Sequence, residues 1–332
     1  MLRRHFYIFI LGSPLVLILF SIFLGRYPIA VSDVLTLLVS LVSGEKTDPT
    51  NLAVIVYIRL PRILLAALVG GSLAVSGAAF QGLFRNPLVS SGMLGVSSGA
   101  GFGAALALIL FNDFFYVYPF SFGFGLVAVF LCFVIGRFSA SSQAITMVLG
   151  GVIVGSIFSA LISFLKYVAD PFDELPAIVF WLMGSLSRAE YSQIITAGIP
   201  MILGSAGLIL IRWRLNVMAM GDKEARALGL NVNVFRIFII ACATLATAGA
   251  VCVSGVIGWV GLVVPHMSRM VIGNNNKDLI PVTFCMGACF LVIVDDISRI
   301  ISSSEMPLGI LTSLIGGPFF IYLLKKTKGR EW

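Results

Sequence analysis

Residues 145–168 read ITMVLGGVIVGSIFSALISFLKYV, with Lys166 the one charge in the run. About twenty successive apolar residues are what a helix needs to cross a ~30 Å hydrocarbon layer. A membrane barrel strand would alternate apolar with polar positions, whereas this run is continuous, so a spanning helix is read. Similar runs recur along the chain. Of 332 residues, 59% are hydrophobic and 11% charged, against about 45–50% and about 25% in soluble domains. The chain is therefore read as an all-α, polytopic membrane helical bundle. No polar tail or Pro/Ser-rich linker divides it, so residues 1–332 are expected to form a single transmembrane domain.

Ten helical segments are expected, near 6–24, 61–83, 93–111, 119–137, 145–168, 192–211, 235–256, 258–272, 279–297 and 307–324. The first follows Arg3, Arg4 and His5. It exceeds the ~7–15 residues of a cleavable signal core and lacks a small-residue cleavage site, so it is read as a span. The eighth is too short to cross upright and holds Pro265, which suits a partial helix lined by protein. Lys and Arg at span ends resist translocation. With the amino terminus inside, fifteen of the 22 basic residues fall on the inner side, among them Arg85, Arg212, Lys223 and Arg269, while eleven of the 15 acidic residues fall toward the outer one. Both termini are expected in the cytoplasm. The net charge of +7 needs no nucleic acid, since topology and anionic lipid account for it.

Gly95, Gly99 and Gly103 form overlapping G-x-x-x-G steps and Gly151 with Gly155 another; such faces let helices pack closely, within one chain or between subunits. The five cysteines lie in apolar runs without a C-x-x-C pair and read as small hydrophobes. No metal site is expected. A Walker A loop and H-E-x-x-H are absent. Ser97 stands in a G-x-S-x-G pattern, but a nucleophile elbow needs a strand and a turn where this serine opens an apolar helix. No catalytic residue is expected.

The longest polar inner loop, about 213–234, contains Gly221-Asp222-Lys223-Glu224-Ala225-Arg226-Ala227-Leu228-Gly229. It reads as a short helix: Asp222 as cap, Glu224 in the first turn, Gly229 at the end, and Asp222 with Arg226 at i and i+4. It is either a knob for a cytoplasmic partner or a solvated surface helix.

This loop resembles the coupling helix of FecCD-type permeases, the membrane subunits of ABC importers for iron chelates and cobalamin. Relative to the E-A-A-x-x-x-G loop of other ABC importers, Arg226 takes the third place and Gly229 comes one residue early. Further likenesses are Arg59-Leu60-Pro61-Arg62, the stretch from Gly70 to Gln81, Arg85-Asn86-Pro87-Leu88, the stretch from Gly258 to His266, and Glu305-Met306-Pro307-Leu308-Gly309. The resemblance implies a type II importer permease of ten helices, paired with a second copy (most simply a homodimer). It also implies two cytoplasmic ATPase subunits that use ATP and Mg, and an extracytoplasmic solute-binding protein. By the same resemblance this chain binds no cofactor and is not an enzyme.

Roles follow from the same source. Residues 221–229 would couple to the ATPase, and Asn86, Leu88, Ser141, Ser142 and Gln143 would form an inner gate. Arg59, Arg62 and Arg299 would meet acidic residues of the binding protein. Arg59 and Arg62, one turn apart at the expected start of the second span, would oppose its dipole by about 0.3–1 kcal/mol each, so an acidic partner is expected. That partner is either external or internal, and Asp295 and Asp296 are within reach of Arg299 along one helix. The resemblance places the chain in a bacterial cytoplasmic membrane, importing a ferric siderophore first, with haem, cobalamin or molybdate as other cargoes. An ion-coupled secondary transporter would instead need acidic groups at mid-membrane, and those here lie near span ends.

Overall fold

The computed structural model describes residues 2–34, 36, 48–136, 143–302 and 304–326. Among them every regular element is a helix. In chain order these are α1 (Leu2–Ser21), α2 (Pro49–Phe84), α3 (Val96–Phe111), α4 (Phe114–Gly136), α5 (Gln143–Val168), α6 (Glu174–Met183), α7 (Tyr191–Leu210), α8 (Arg212–Met220), α9 (Asp222–Ala227), α10 (Val232–Ser254), α11 (Val260–Ile272), α12 (Asn276–Ile301) and α13 (Leu308–Lys326). By length and composition α2, α4, α5, α7, α10 and α12 each suffice to cross a membrane.

Each of the ten expected runs is helical. Three elements are additional. Helix α6 is too short to span, and residues 212–227 hold two helices, α8 and α9, where one was read. The third is an extension of α2, which begins at Pro49, not near Pro61, with Asp48 accepting from the Thr50 amide at 3.0 Å as its cap. Residues Ala53–Arg59 are wound as a π-helix inside it. Arg59 and Arg62 therefore lie about three turns inside a helix, where amides are already paired, and they do not oppose a dipole at its start.

The core follows from composition. Helix α2 is rich in Gly, Ala and Ser and is buried along most of its length; it packs against α12, α10, α7 and α11. Small side chains let backbones approach in lipid, where no hydrophobic drive exists between helices. A Cβ on Gly70 would meet the Gly287 carbonyl, and one on Gly77 the Gly261 carbonyl. The G-x-x-x-G steps are also spent within the chain: Gly99 and Gly103 face the carbonyls of Phe124 and Phe120, and Gly151 faces that of Met93. Outer helices keep apolar faces. On α5, Ile145, Leu149, Val152, Ile153, Ile157 and Phe164 are all more than half exposed, as lipid or a neighbouring subunit requires.

Residues 86–95 are not helical, yet they turn into the bundle. Val89 and Leu94 are fully buried, and the Ser91 Oγ lies 2.5 Å from where a Gly261 Cβ would sit, beside Gly77. Gly77 is seven residues from the end of α2, a depth of about 10 Å. Irregular backbone at that depth persists only where protein covers it, and this is why α3 starts late and is short.

Candidate functional site

Polar side chains gather at the two ends of the bundle. At one end Arg62 on α2 reaches Asp295 on α12 through Nε (3.0 and 3.1 Å) and Nη2 (2.9 Å), and Glu305 through Nη1 (2.9 Å). Arg299 Nε lies 3.2 Å from Asp295 Oδ2; its Nη2 bonds Asp296 and donates to Ser21 Oγ at 3.0 Å, and that hydroxyl donates to Asp296 at 2.5 Å. Arg59 donates to the carbonyls of Ile22 (2.6 Å) and Tyr27. Arg26 donates to the carbonyls of Arg299 (3.2 Å) and Ser302. The network ties α1, α2 and α12 together.

Arg59, Arg62 and Arg299 are only 4%, 6% and 6% exposed. Their guanidinium groups are turned inward, because a buried charge that is not paired or hydrogen-bonded costs several kcal/mol. The internal alternative holds for Arg62 and Arg299. Arg59 has carbonyl partners only, with no ion pair among the described residues. Four arginines (26, 59, 62, 299) and three carboxylates (295, 296, 305) leave one surplus positive charge around a cleft lined by all four arginines and Glu305. Sequence reading overlooked Arg26 and Glu305 as members. Nothing local in the sequence marks the partner of Glu305, 243 residues away.

At the opposite end, α9 projects from the bundle. Its cap is Gly221, not Asp222, and Asp222 pairs with Arg236 of α10 at 2.7 Å and not with Arg226. Arg236 is buried, and the nearby carboxylate offsets its desolvation better than a solvated Arg226 would be served by it. The end of α9 is as read: Gly229 (φ 81°) takes the left-handed position, its amide donating to the Arg226 carbonyl at 2.9 Å while the Leu230 amide donates to that of Ala225 at 3.0 Å. Gly221 and Ala225 are buried; Lys223, Glu224, Arg226, Ala227, Leu228 and Gly229 are exposed, Leu228 at 61%, as is Met220 at 60%. Gly221 has φ 132°, and a Cβ there would strike the Glu224 carboxylate with Arg85 Nη1 at 3.3 Å. Gly221→Ala is expected to cost about 1–3 kcal/mol locally. Trypsin should cut faster at Lys223 and Arg226, with helix content by circular dichroism unchanged; unaltered cleavage would contradict it.

The segment after α2 shares this end. Arg85 (φ 51°) closes the helix, and Asn86 Oδ1 accepts from the Leu88 amide at 2.9 Å. Asn86 and Leu88 are exposed. Ser141 and Ser142 lie outside the described residues; Gln143 starts α5, and its side chain is likewise outside them. A second, shallow cleft is lined by Phe114, Tyr118, Trp181, Ser185 and Arg188 among others. Among the described residues no three of His, Cys, Asp or Glu come together as a metal site.

The model of the FecCD transport family matches residues 13–326. The molybdate import system permease protein MolB of Haemophilus influenzae is 39% identical over 308 residues, covering 93% of this chain and 91% of that protein. A Helicobacter pylori permease named for iron chelatin transport is 40% identical, covering 83% of each. A solved structure described as an inward-facing conformation of a metal-chelate type ABC transporter superposes with a TM-score of 0.88 at 36% identity, covering 97% of this chain and 99% of that one.

Proposed function

Because the chain belongs to the FecCD transport family, and so is the permease subunit of an ABC importer, we propose that its cargo is a metal chelate, ferric siderophore before haem or cobalamin. The observation that carries the mechanism is α9: a capped helix outside the bundle, with exposed Leu228 and Met220 among charges, on the end that also holds Asn86 and Leu88. That end faces the cytoplasm, with both chain termini, in a bacterial inner membrane. Two ATPase subunits seat on residues 221–229 of two permease copies. Their closure on ATP and Mg moves α9, and the Asp222–Arg236 pair passes that motion to α10. The described apolar face of α5 suits a second copy, most simply an identical chain.

The solute-binding protein docks at the opposite end. The surplus charge around the arginine-lined cleft supports this reading. Arg26 and Arg59, which hold no carboxylate among the described residues, supply that surplus; Arg62 and Arg299 shape the cleft. Acidic groups on the partner would be attracted to it, chiefly raising the association rate.

A second reading, an oxyanion cargo such as molybdate, is favoured by MolB, whose likeness runs over 93% of this chain. Calorimetry on the solute-binding protein with ferrichrome and with molybdate separates the two. For the importer itself, uptake into vesicles by the reconstituted complex should fall to background without ATP or with vanadate. Uptake driven equally well by a proton or sodium gradient would overturn the proposal.

A further inference from the structure

Gln81 sits on the last full turn of α2 and is 3% exposed. Its amide is used in both directions: Nε2 donates to the Val89 carbonyl at 3.0 Å, and Oε1 accepts from Arg269 Nη1 of α11. One side chain thus joins α2, the inward-turning segment 86–95 and α11. Val89 is fully buried, so its carbonyl has no water to turn to if Gln81 lets go. Arg269 forms no ion pair among the described residues; its bond to a neutral amide oxygen is the charged end of the relay. An amide can offer a donor and an acceptor simultaneously, which neither a carboxylate nor a hydrocarbon of that size can do.

We propose that Gln81 and Arg269 are positioning residues of the inner gate: the relay Arg269–Gln81–Val89 fixes the segment that carries Asn86 and Leu88. The inference rests on the reading above that Asn86 and Leu88 are gate residues. Packing alone would not choose a glutamine here. The neighbouring buried positions of α2 are Ala78, Ala79, Phe80 and Leu83, and a buried amide earns retention only when its partners are met. A tie made of two hydrogen bonds, one of them to an amide in place of a carboxylate, is also weak enough to open during a transport cycle.

The test uses the permease–ATPase complex in lipid nanodiscs. Amide hydrogen exchange over residues 85–95 is compared for the parent chain, Gln81→Leu and Arg269→Met. About tenfold faster exchange is expected in that segment for both, with α2 upstream of residue 80 unchanged, and Arg269→Lys should recover part of the protection. Should Gln81→Leu fail to fold, Gln81→Glu keeps an acceptor for Arg269 and removes the donation to Val89. Unchanged exchange in the folded variants overturns the relay. The gate is read with Leu88→Cys in a chain whose five native cysteines are replaced, labelled by an impermeant maleimide with and without ATP and vanadate. Labelling that switches with nucleotide in the parent and is constant in Gln81→Leu supports the assignment. Faster exchange with labelling that still switches overturns the gate-positioning role and leaves the proposed function standing; labelling that never switches in the parent overturns the reading of Leu88 as a gate.

Discussion

Asp295→Ala is expected to cost about 3–5 kcal/mol of stability, the range for removing one partner of a buried ion pair. The carboxylate is 1% exposed and holds two guanidinium groups, Arg62 by both its oxygens and Arg299 at 3.2 Å. Its loss leaves both cations buried and facing each other, with Asp296 serving one and Glu305 the other. Unfolding by SDS in mixed micelles would measure the change. Arg62→Met on the Asp295→Ala background should recover part of it, since an apolar side chain removes a charge that has lost its partner. Glu305→Ala should cost far less, about 0–1 kcal/mol, because that carboxylate is 30% exposed and screened. Equal losses for Asp295→Ala and Glu305→Ala would show that the network does not carry the stability assigned to it.

Gly70→Ala is expected to cost about 1–3 kcal/mol, the usual penalty for forcing a methyl group into a packed site. Combined with Gly287→Ala, it should prevent the native crossing of α2 and α12. The two glycines face each other, and each Cβ would enter the other's carbonyl; behind them stand Leu291 and Ala74. Backbone cannot rotate aside as a side chain can, so the helices must separate along an extensive interface of the core. The contrast is Gly123→Ala, where nothing lies within 4 Å of the new methyl; there the helical preference for alanine should leave stability equal or slightly raised. Thermal unfolding in detergent compares the three. A harmless double variant would mean that the α2–α12 approach is not set by these glycines.

The architecture was legible because lipid makes one demand that composition displays directly: long apolar runs must be helices. Each run read from sequence is a helix, and the coarse family resemblance carried over residues 13–326. What escaped detection obeys other rules. Helix α6 never needed to span, so its ten residues raised no hydropathy alarm. The extension of α2 back to Pro49 depends on a π-wound stretch that apolar periodicity does not mark. Side-chain pairing was readable only within a helix. Asp295 and Asp296 stand three and four residues from Arg299 and do pair with it, whereas Arg62 finds Asp295 across 233 residues. Even local spacing misled at Asp222, where burial of Arg236 outweighed the nearer Arg226. The arginines assigned to an external partner turned inward for the same reason: desolvation rewards whichever acid is close in space, and a sequence does not state which that is.

Helix α2 is unbroken for 36 residues, about 54 Å of rod against a ~30 Å hydrocarbon layer. Arg59 and Arg62 ride about a third of the way from one end; Gln81 and Arg85 ride at the other. Thermodynamic linkage then runs both ways along the same shaft: a visitor at the arginine cluster that prefers one posture of the distal turn must itself be gripped more tightly, by an equal factor, whenever that posture is imposed from below.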